Sequence, residues 1–397
     1  MGKCLVTWEL GAGLGHVMLL RPVVEALLDR RHQVFVAMQD ISKAFRTFRG
    51  LSVGYLQAPF RVGKANNVPR ALNHGHLLRN VGFGDLEEMA ALTNAWRHLY
   101  AYTKPDLIVF DHSPMAMVAS RGMDVRRVVV GTGFEIPPDE TPWPPFRYWL
   151  RHDKGLLQRS DAMLLAEINQ LVGGWRGDPF ERLGEIYSSC DQTVLATVRE
   201  LDHYPSRTPD ASYFGLFPNR PGIAPNWPTA GTRRAFAYLN PSPNLADFLR
   251  LVLKEDVSLV LYPIGCNDSF RQDLGVYSNL MVVDEPVDLQ MVATTCDFAI
   301  LNGGLGGVSS LIAAGLPLFL LPLHTEQIIT AKTIERLGVG GSTNRHLMSQ
   351  IRQDWGEFLQ HLPCYQESAK AFAQRQVLID REDNLRKAVL AISTMLA

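Results

Sequence analysis

Apolar residues along the chain fall in short runs that end at glycine, aspartate or proline, and most runs lead into a stretch with helical spacing. Lys3–Trp8 is the first such run and predicts a buried strand. A turn, Gly11-Ala-Gly13-Leu-Gly15-His16, follows it. From Val17 to Arg30 the residues Leu20, Val23, Val24, Leu27 and Leu28 share one face, which predicts a helix. Pro22 lies in its first turns, where proline is tolerated. Gln33–Ala37 reads as the next strand. A strand–turn–helix–strand unit of this kind implies a parallel sheet. Further strands are expected at Leu107–Phe110, ending on Asp111, at Arg127–Val130, ending on Gly131-Thr132-Gly133, and at Gln192–Ala196, with a helix at Ala166–Trp175. Residues 58–82, rich in Asn, His, Arg and Gly, and the proline- and aromatic-rich residues 137–150 read as irregular.

A second series of the same kind starts after a proline-rich stretch without apolar periodicity. Strands are expected at Ala235–Leu239, Val257–Tyr262, Leu280–Val283, Phe298–Leu301 and Pro317–Leu321. Helices are expected at Leu245–Leu253, Leu289–Thr295, Val308–Ala314, Gln327–Leu337 and Asp383–Leu396. The expected organisation is α/β: two doubly wound, Rossmann-like domains facing across a cleft. The divisions fall at 1–217 (first domain), 218–233 (linker), 234–380 (second domain) and 381–397 (a C-terminal helix expected to pack on the first domain). No repeat has a solenoid period.

Composition narrows the classes. With 39 Lys+Arg against 40 Asp+Glu in 397 residues, nothing points to a nucleic-acid partner. Five dispersed cysteines without a C-x-x-C pair suggest reduced thiols and a cytoplasmic home. No apolar run reaches the ~18–20 residues of a membrane span.

The segment from Asp297 to Gln327 carries the strongest chemical signal. It reads as strand, glycine turn, apolar helix, strand and polar turn. Glycines at a strand-to-helix junction let backbone N–H groups face a ligand, and the helix N-terminus behind them favours an anion. An ordinary packing turn would look similar. In the first half His16 is the natural general base, since an unperturbed imidazole titrates near ~6.5; its bland alternative is a histidine capping a helix start. Asp111 ends a buried strand. His112 is expected to point to the other face of that strand. His74-Gly-His76 has metal-like spacing but no completing ligand, so it reads as a flexible loop. Trp143, Phe146, Tyr148 and Trp149, with Trp96, Tyr100 and Tyr102, either wall an apolar pocket or pack a loop.

These residues resemble the signatures of family 1 glycosyltransferases of the GT-B fold. Gly303, Gly304, Gly306, Gly315, Pro317 and Gln327 match the donor motif, with Glu326 in place of its Asp. Asn302 replaces the motif's His, Gly307 its Ser/Thr, Ser310 its Glu and Thr330 its Asn. Gly15-His16 followed by Pro22 is similar to the family's Gly-His-x-x-Pro start, with the proline displaced. The resemblance implies an inverting, metal-independent transfer of a sugar from a nucleoside diphosphate to a small or lipophilic acceptor. It implies catalytic roles for His16 and Asp111 and donor contacts from Asn302, Gly303, Gly304, Gly306, Gly307, Ser310, His324, Glu326 and Gln327. Gly13, Trp143 and Phe146 would line the acceptor side. No metal or cofactor is expected beyond the nucleotide-sugar co-substrate. Loss of the ribose-binding Glu at Ser310 favours dTDP or a relaxed dTDP/UDP choice. A nucleotide-sugar epimerase, a dinucleotide-dependent oxidoreductase suggested by Gly11-x-Gly13, and a non-catalytic relative are the competing readings.

Overall fold

A computed structural model describes every residue except 12, 14, 64–66, 176, 219–221, 345–346, 377–379 and 397, and the side chains of 268 and 271. Ala12 and Leu14 of the first glycine turn, and residues 219–221 of the expected linker, therefore lie outside the described residues. The chain forms two compact units. One holds Met1–Phe217 and the segment from Arg381 onward; the other holds Pro218–Asp380.

In the first unit β1 (Lys3–Trp8), α1 (Gly15–Asp29), β2 (Gln33–Met38), α2 (Ile41–Thr47), β3 (Val53–Gln57), α3 (His74–Arg79), α4 (Leu86–Thr103), β4 (Leu107–Asp111), α5 (Pro114–Ala119), β5 (Arg126–Gly131), α6 (Lys154–Gly174), α7 (Glu185–Ser188) and β6 (Gln192–Leu195) follow in order. The sheet order is β3-β2-β1-β4-β5-β6, all parallel. Helices cover both faces, so alternate residues of each strand enter different cores. Leu5, Ile108 and Phe110 join one; Cys4, Val6, Trp8, Leu107 and Val109 join the other.

The second unit repeats the scheme with β7 (Arg233–Leu239), α8 (Leu245–Leu253), β8 (Val257–Pro263), α9 (Asp268–Leu274), β9 (Leu280–Val282), α10 (Leu289–Thr295), β10 (Phe298–Leu301), α11 (Leu305–Ile312), β11 (Leu318–Leu320), α12 (Thr325–Leu337), β12 (Gly340–Ser342) and α13 (Met348–Gln376). Its parallel order is β12-β11-β10-β7-β8-β9. The described part of the proline-rich stretch packs on this unit, with Ile223 N donating to Pro286 O at 2.9 Å. A last helix, α14 (Arg381–Ser393), returns to the first unit, where Ala388 and Ile392 enter the core beside Val17 and Leu20.

Several elements escape the apolar pattern. α4 buries Met89, Thr93, Trp96, Tyr100 and Thr103, a stripe half made of polar residues. Trp96 and Tyr100 are therefore core, stacked at 6.0 Å, while Tyr102 is exposed, so none of the three walls a pocket. α13 runs unbroken through Pro363. β12 is an edge strand of sequence Gly-Gly-Ser with no β-favouring side chain. Among the described residues no helix is long and apolar enough to cross a membrane. Among the described residues no two cysteines form a disulfide.

Candidate active site

In a doubly wound sheet the crevice opens where the strand order reverses, beyond the carboxyl ends of the strands. In the first unit that point lies between β1 and β4, which pair in register with Trp8 opposite Asp111. The turn after β1 leads into α1, and His16 is that helix's second residue. His16 Nδ1 lies 3.0 Å from Asp111 Oδ1 and 3.1 Å from Oδ2. Asp111 is fully buried, whereas the His16 side chain keeps 21% exposure. A buried carboxylate on Nδ1 fixes the proton there and leaves Nε2 as the basic nitrogen. Trp8 stacks on the imidazole at 5.7 Å, which sets its plane. Gly11 has φ 97°, and a Cβ on it would sit 2.5 Å from His16 Nε2. In the sequence Gly11 stands out only as part of a dinucleotide-like Gly11-x-Gly13, with nothing to mark its closeness to His16.

His112 departs from the expectation. Its φ of 42° is left-handed, a conformation that costs a residue with a Cβ about 1–2 kcal/mol. Strand alternation ends there, and the ring comes back to 5.4 Å from that of His16. Burial, with repulsion from His16 and His74, holds its pKa well below the ordinary value. The His74 ring is 6.4 Å further on. His74 is not in a flexible loop. It opens α3, capped by Asn73, whose side chain accepts from His76 N and donates to Asp161 at 3.0 Å. A turn rich in Asn and His reads as mobile because the core partners that fix it, Asp161 and Tyr187, are distant in sequence. His74 Nε2 lies 2.9 Å from the Tyr187 hydroxyl, and burial pushes the imidazole's pKa down to about 3.

Aromatic side chains surround this row. Trp143 stands edge-on to His74 at 5.4 Å, and Phe146 stacks on Phe134 at 5.2 Å. Both Trp143 and Phe146 are buried, while Gly13 is exposed. Two carboxylates complete the setting. Glu135, buried, accepts from Thr132 Oγ1, and with His16 and Asp111 it offers ligand-type atoms all within 4.8 Å of one another. The His16 and Asp111 atoms are already engaged with each other. Glu9, fully buried, accepts through Oε2 from Met115 N and Ala116 N, both at 3.1 Å, and burial raises its pKa to about 8.

The second unit presents the matching point between β7 and β10. Asn302 follows β10, but its amide ties strand ends together. Oδ1 accepts from Asn240 N at 2.7 Å and Asn240 Nδ2 at 3.1 Å, and Nδ2 donates to Leu321 O at 2.8 Å. Gly303, at φ 99°, packs against Gln327, where a Cβ would meet Gln327 O at 3.2 Å. The glycine turn and the start of α12 are thus brought together. Gly304 is the N-cap of α11 and makes no side-chain cap bond, and a Cβ on Gly304 or Gly306 would meet nothing within 4 Å. The first helical N–H groups, on Leu305, Gly306 and Gly307, have no intrahelical acceptor. This is an open, positively polarised helix start suited to a diphosphate.

Two other expected donor contacts, Ser310 and Gln327, make hydrogen bonds within the unit. Ser310 is buried and its hydroxyl donates to Gly306 O at 2.7 Å. Gln327 Oε1 accepts from Leu323 N at 2.8 Å. His324 is the exposed N-cap of α12, and Glu326 lies in that helix's first turn. A cavity of about 270 Å³ lies elsewhere in this unit, lined by Lys332, Glu335, Ser342 and Tyr365 and by none of the glycine-turn residues.

No protein-family model matches the chain. A PGL/p-HBAD biosynthesis glycosyltransferase of Mycobacterium tuberculosis is 23% identical over 252 residues, a match spanning 59% of this chain and 58% of the relative. Among solved structures, the glycosyltransferase of kitacinnamycin superposes with a TM-score of 0.72 at 15% identity, over 99% of each chain. The calicheamicin glycosyltransferase gives 0.70 at 16%, over 100% of this chain and 98% of its own. The spinosyn rhamnosyltransferase complexed with thymidine diphosphate gives 0.63 at 15%, over 98% and 100%. At such identities the likeness is one of fold. The chain has the two-domain α/β fold of these glycosyltransferases, GT-B.

Proposed function

We propose that the chain is an inverting, metal-independent glycosyltransferase that moves a sugar from a nucleoside diphosphate to a hydroxyl of a small or lipophilic acceptor. The observation that carries this reading is the bond between His16 Nδ1 and the buried Asp111 carboxylate at the first unit's switch point. His16 Nε2 takes the proton of the acceptor hydroxyl. The acceptor oxygen then attacks the anomeric carbon from the face opposite the diphosphate, and the bond from that carbon to the diphosphate oxygen breaks. Asp111 fixes the imidazole's tautomer and steadies the imidazolium that forms. The leaving diphosphate is held by the N–H groups at the start of α11, where charge developing in the transition state meets a preorganised dipole.

Three observations favour thymidine diphosphate as the carrier, or a relaxed choice between it and UDP. No acidic side chain stands at Ser310 to hold a ribose 2′-hydroxyl. The Ser310 hydroxyl is directed at its own helix. The solved neighbours include complexes with thymidine diphosphate.

The test is turnover with dTDP- and UDP-sugars, with and without chelator, in wild type and His16→Ala. The variant should lose roughly 10²–10⁴-fold in turnover while its dTDP affinity stays normal. Chelation should change nothing. Full activity of His16→Ala would reject the assigned base. A loss on chelation restored by a divalent cation would make His16, Asp111 and Glu135 a metal site.

A further inference from the structure

Three anomalies meet at His112, which the proposed chemistry does not use. Its backbone is left-handed, which glycine or asparagine adopts more readily than histidine. The residue is only 8% exposed and both ring nitrogens are buried, yet neither has a hydrogen-bond partner among the described residues. Its ring stands 5.4 Å from that of His16. Buried polar groups are almost always satisfied, and one left open beside a reacting centre points to a ligand that completes it. The next ring inward behaves alike. His74 is wholly buried, spends Nε2 on Tyr187, and leaves Nδ1 without a partner.

We propose that His112 is the recognition group for a second hydroxyl of the acceptor, neighbouring the hydroxyl that His16 deprotonates, and that the acceptor is an uncharged dihydroxylated ring. A neutral imidazole offers one donor and one acceptor, as a hydroxyl does, so the two can pair in either sense. Burial and the neighbouring histidines keep His112 neutral. The 5.4 Å between imidazoles lets one six-membered ring present hydroxyls to both. Flat faces suit the site, since Trp8 and Phe134 are rings in contact with His16 and His74. The buried carboxylates of Asp111 and Glu135 oppose an anionic acceptor.

This inference rests on the glycosyltransferase reading, and the experiment separates the two. Affinities of the full chain for 1,2-dihydroxybenzene, phenol and benzoate are measured by NMR titration at saturating dTDP. The diol should bind about threefold to tenfold tighter than phenol, the weight of one net hydrogen bond. Benzoate should bind weakest. His112→Gly suits the left-handed backbone and removes only the imidazole; it should bind the diol no better than phenol. His112→Asn, which keeps a donor and an acceptor, should retain part of the preference. In wild type the His112 ring resonances should shift with the diol and not with phenol, a measurement that needs no variant to fold. Equal affinities in wild type, a preference surviving in His112→Gly, or unmoved His112 resonances would overturn the proposal. Failure to bind any nucleoside diphosphate would count against the glycosyltransferase reading, while the diol preference measured without nucleotide would still decide the role of His112.

Discussion

A Cβ on Gly11 would lie 2.5 Å from His16 Nε2 and 2.9 Å from its Cδ2, closer than side-chain atoms pack. The bare backbone at φ 97° therefore clears the side of the imidazole that must meet an acceptor hydroxyl. Gly11→Ala should cut turnover on the order of the 10²–10⁴-fold lost with a general base. Steady-state kinetics checks this beside dTDP affinity, which should hold because the glycine turn of the second unit is untouched. Near-normal turnover would show that the imidazole has another approach.

The His16–Asp111 contact makes a second expectation. Asp111→Asn keeps the shape but removes the charge, and an amide can donate to Nδ1 and place the ring proton on Nε2. Turnover should fall by on the order of 10² or more, with nucleotide affinity unchanged. Raising the pH should not restore it, because the defect is in tautomer and charge stabilisation. Wild-type turnover in Asp111→Asn would leave Asp111 a purely structural partner.

The parts of this molecule that could be read from sequence are those whose cause is local. The strands at Lys3–Trp8 and Val257–Pro263 are continuous apolar runs because helices bury both faces. The pairing of His16 with Asp111 is what the family resemblance implies, and the neighbouring strands β1 and β4 bring the two together. What remained hidden depends on distant partners. α4 gains its place through Trp96 and through Tyr100, whose hydroxyl donates to Ala116 O at 2.6 Å, not through a clean apolar stripe. His112 was misplaced because period-two alternation fails at a left-handed residue, and no residue-type signal marks a histidine there. Asn302 and Ser310 hold ligand-contact positions of the motif, and sequence gives no sign of the hydrogen bonds they also make with Asn240, Leu321 and Gly306.

Two buried groups bend the pH dependence of stability in opposite senses. His74 titrates near 3 in the folded chain and near 6.5 unfolded, so between these values the unfolded state binds the extra proton. Stability from this group is lost as pH falls from about 6.5 towards 3. Glu9 is raised from 4.5 to about 8, so the folded state holds the extra proton across that window, and stability falls as pH rises through it. The melting temperature should therefore peak between the two limbs. Glu9→Gln, which still accepts from Met115 N and Ala116 N, should flatten the alkaline limb and carry the acid limb on up to about 6.5, because the two windows overlap from 4.5 to 6.5 and offset each other there in wild type. An unchanged alkaline limb in thermal melts at stepped pH would place the Glu9 proton elsewhere.

Gly304 and Gly306 make opposite demands on stability and on binding. Neither has an atom within 4 Å of a would-be Cβ, and neither has a positive φ, so alanine fits at both without strain. At Gly306, inside α11, alanine should stabilise the helix by about 0.5–1 kcal/mol. At Gly304, the N-cap, alanine should cost about 0.5–1 kcal/mol, because glycine ranks well above alanine there. Both substitutions put a methyl group where the diphosphate is proposed to approach the N–H groups of Leu305, Gly306 and Gly307. Gly306→Ala should thus melt at or above wild type yet bind dTDP more weakly, by about tenfold if one of these charge-assisted bonds is lost. Gly304→Ala should weaken dTDP in the same way with a melting temperature only a few degrees below wild type. Calorimetric titration with dTDP beside a melting curve reads both quantities. Should the two variants bind dTDP as wild type does, the diphosphate does not sit at the start of α11. Should they bind weakly but also melt early, the glycines serve the fold instead of the ligand.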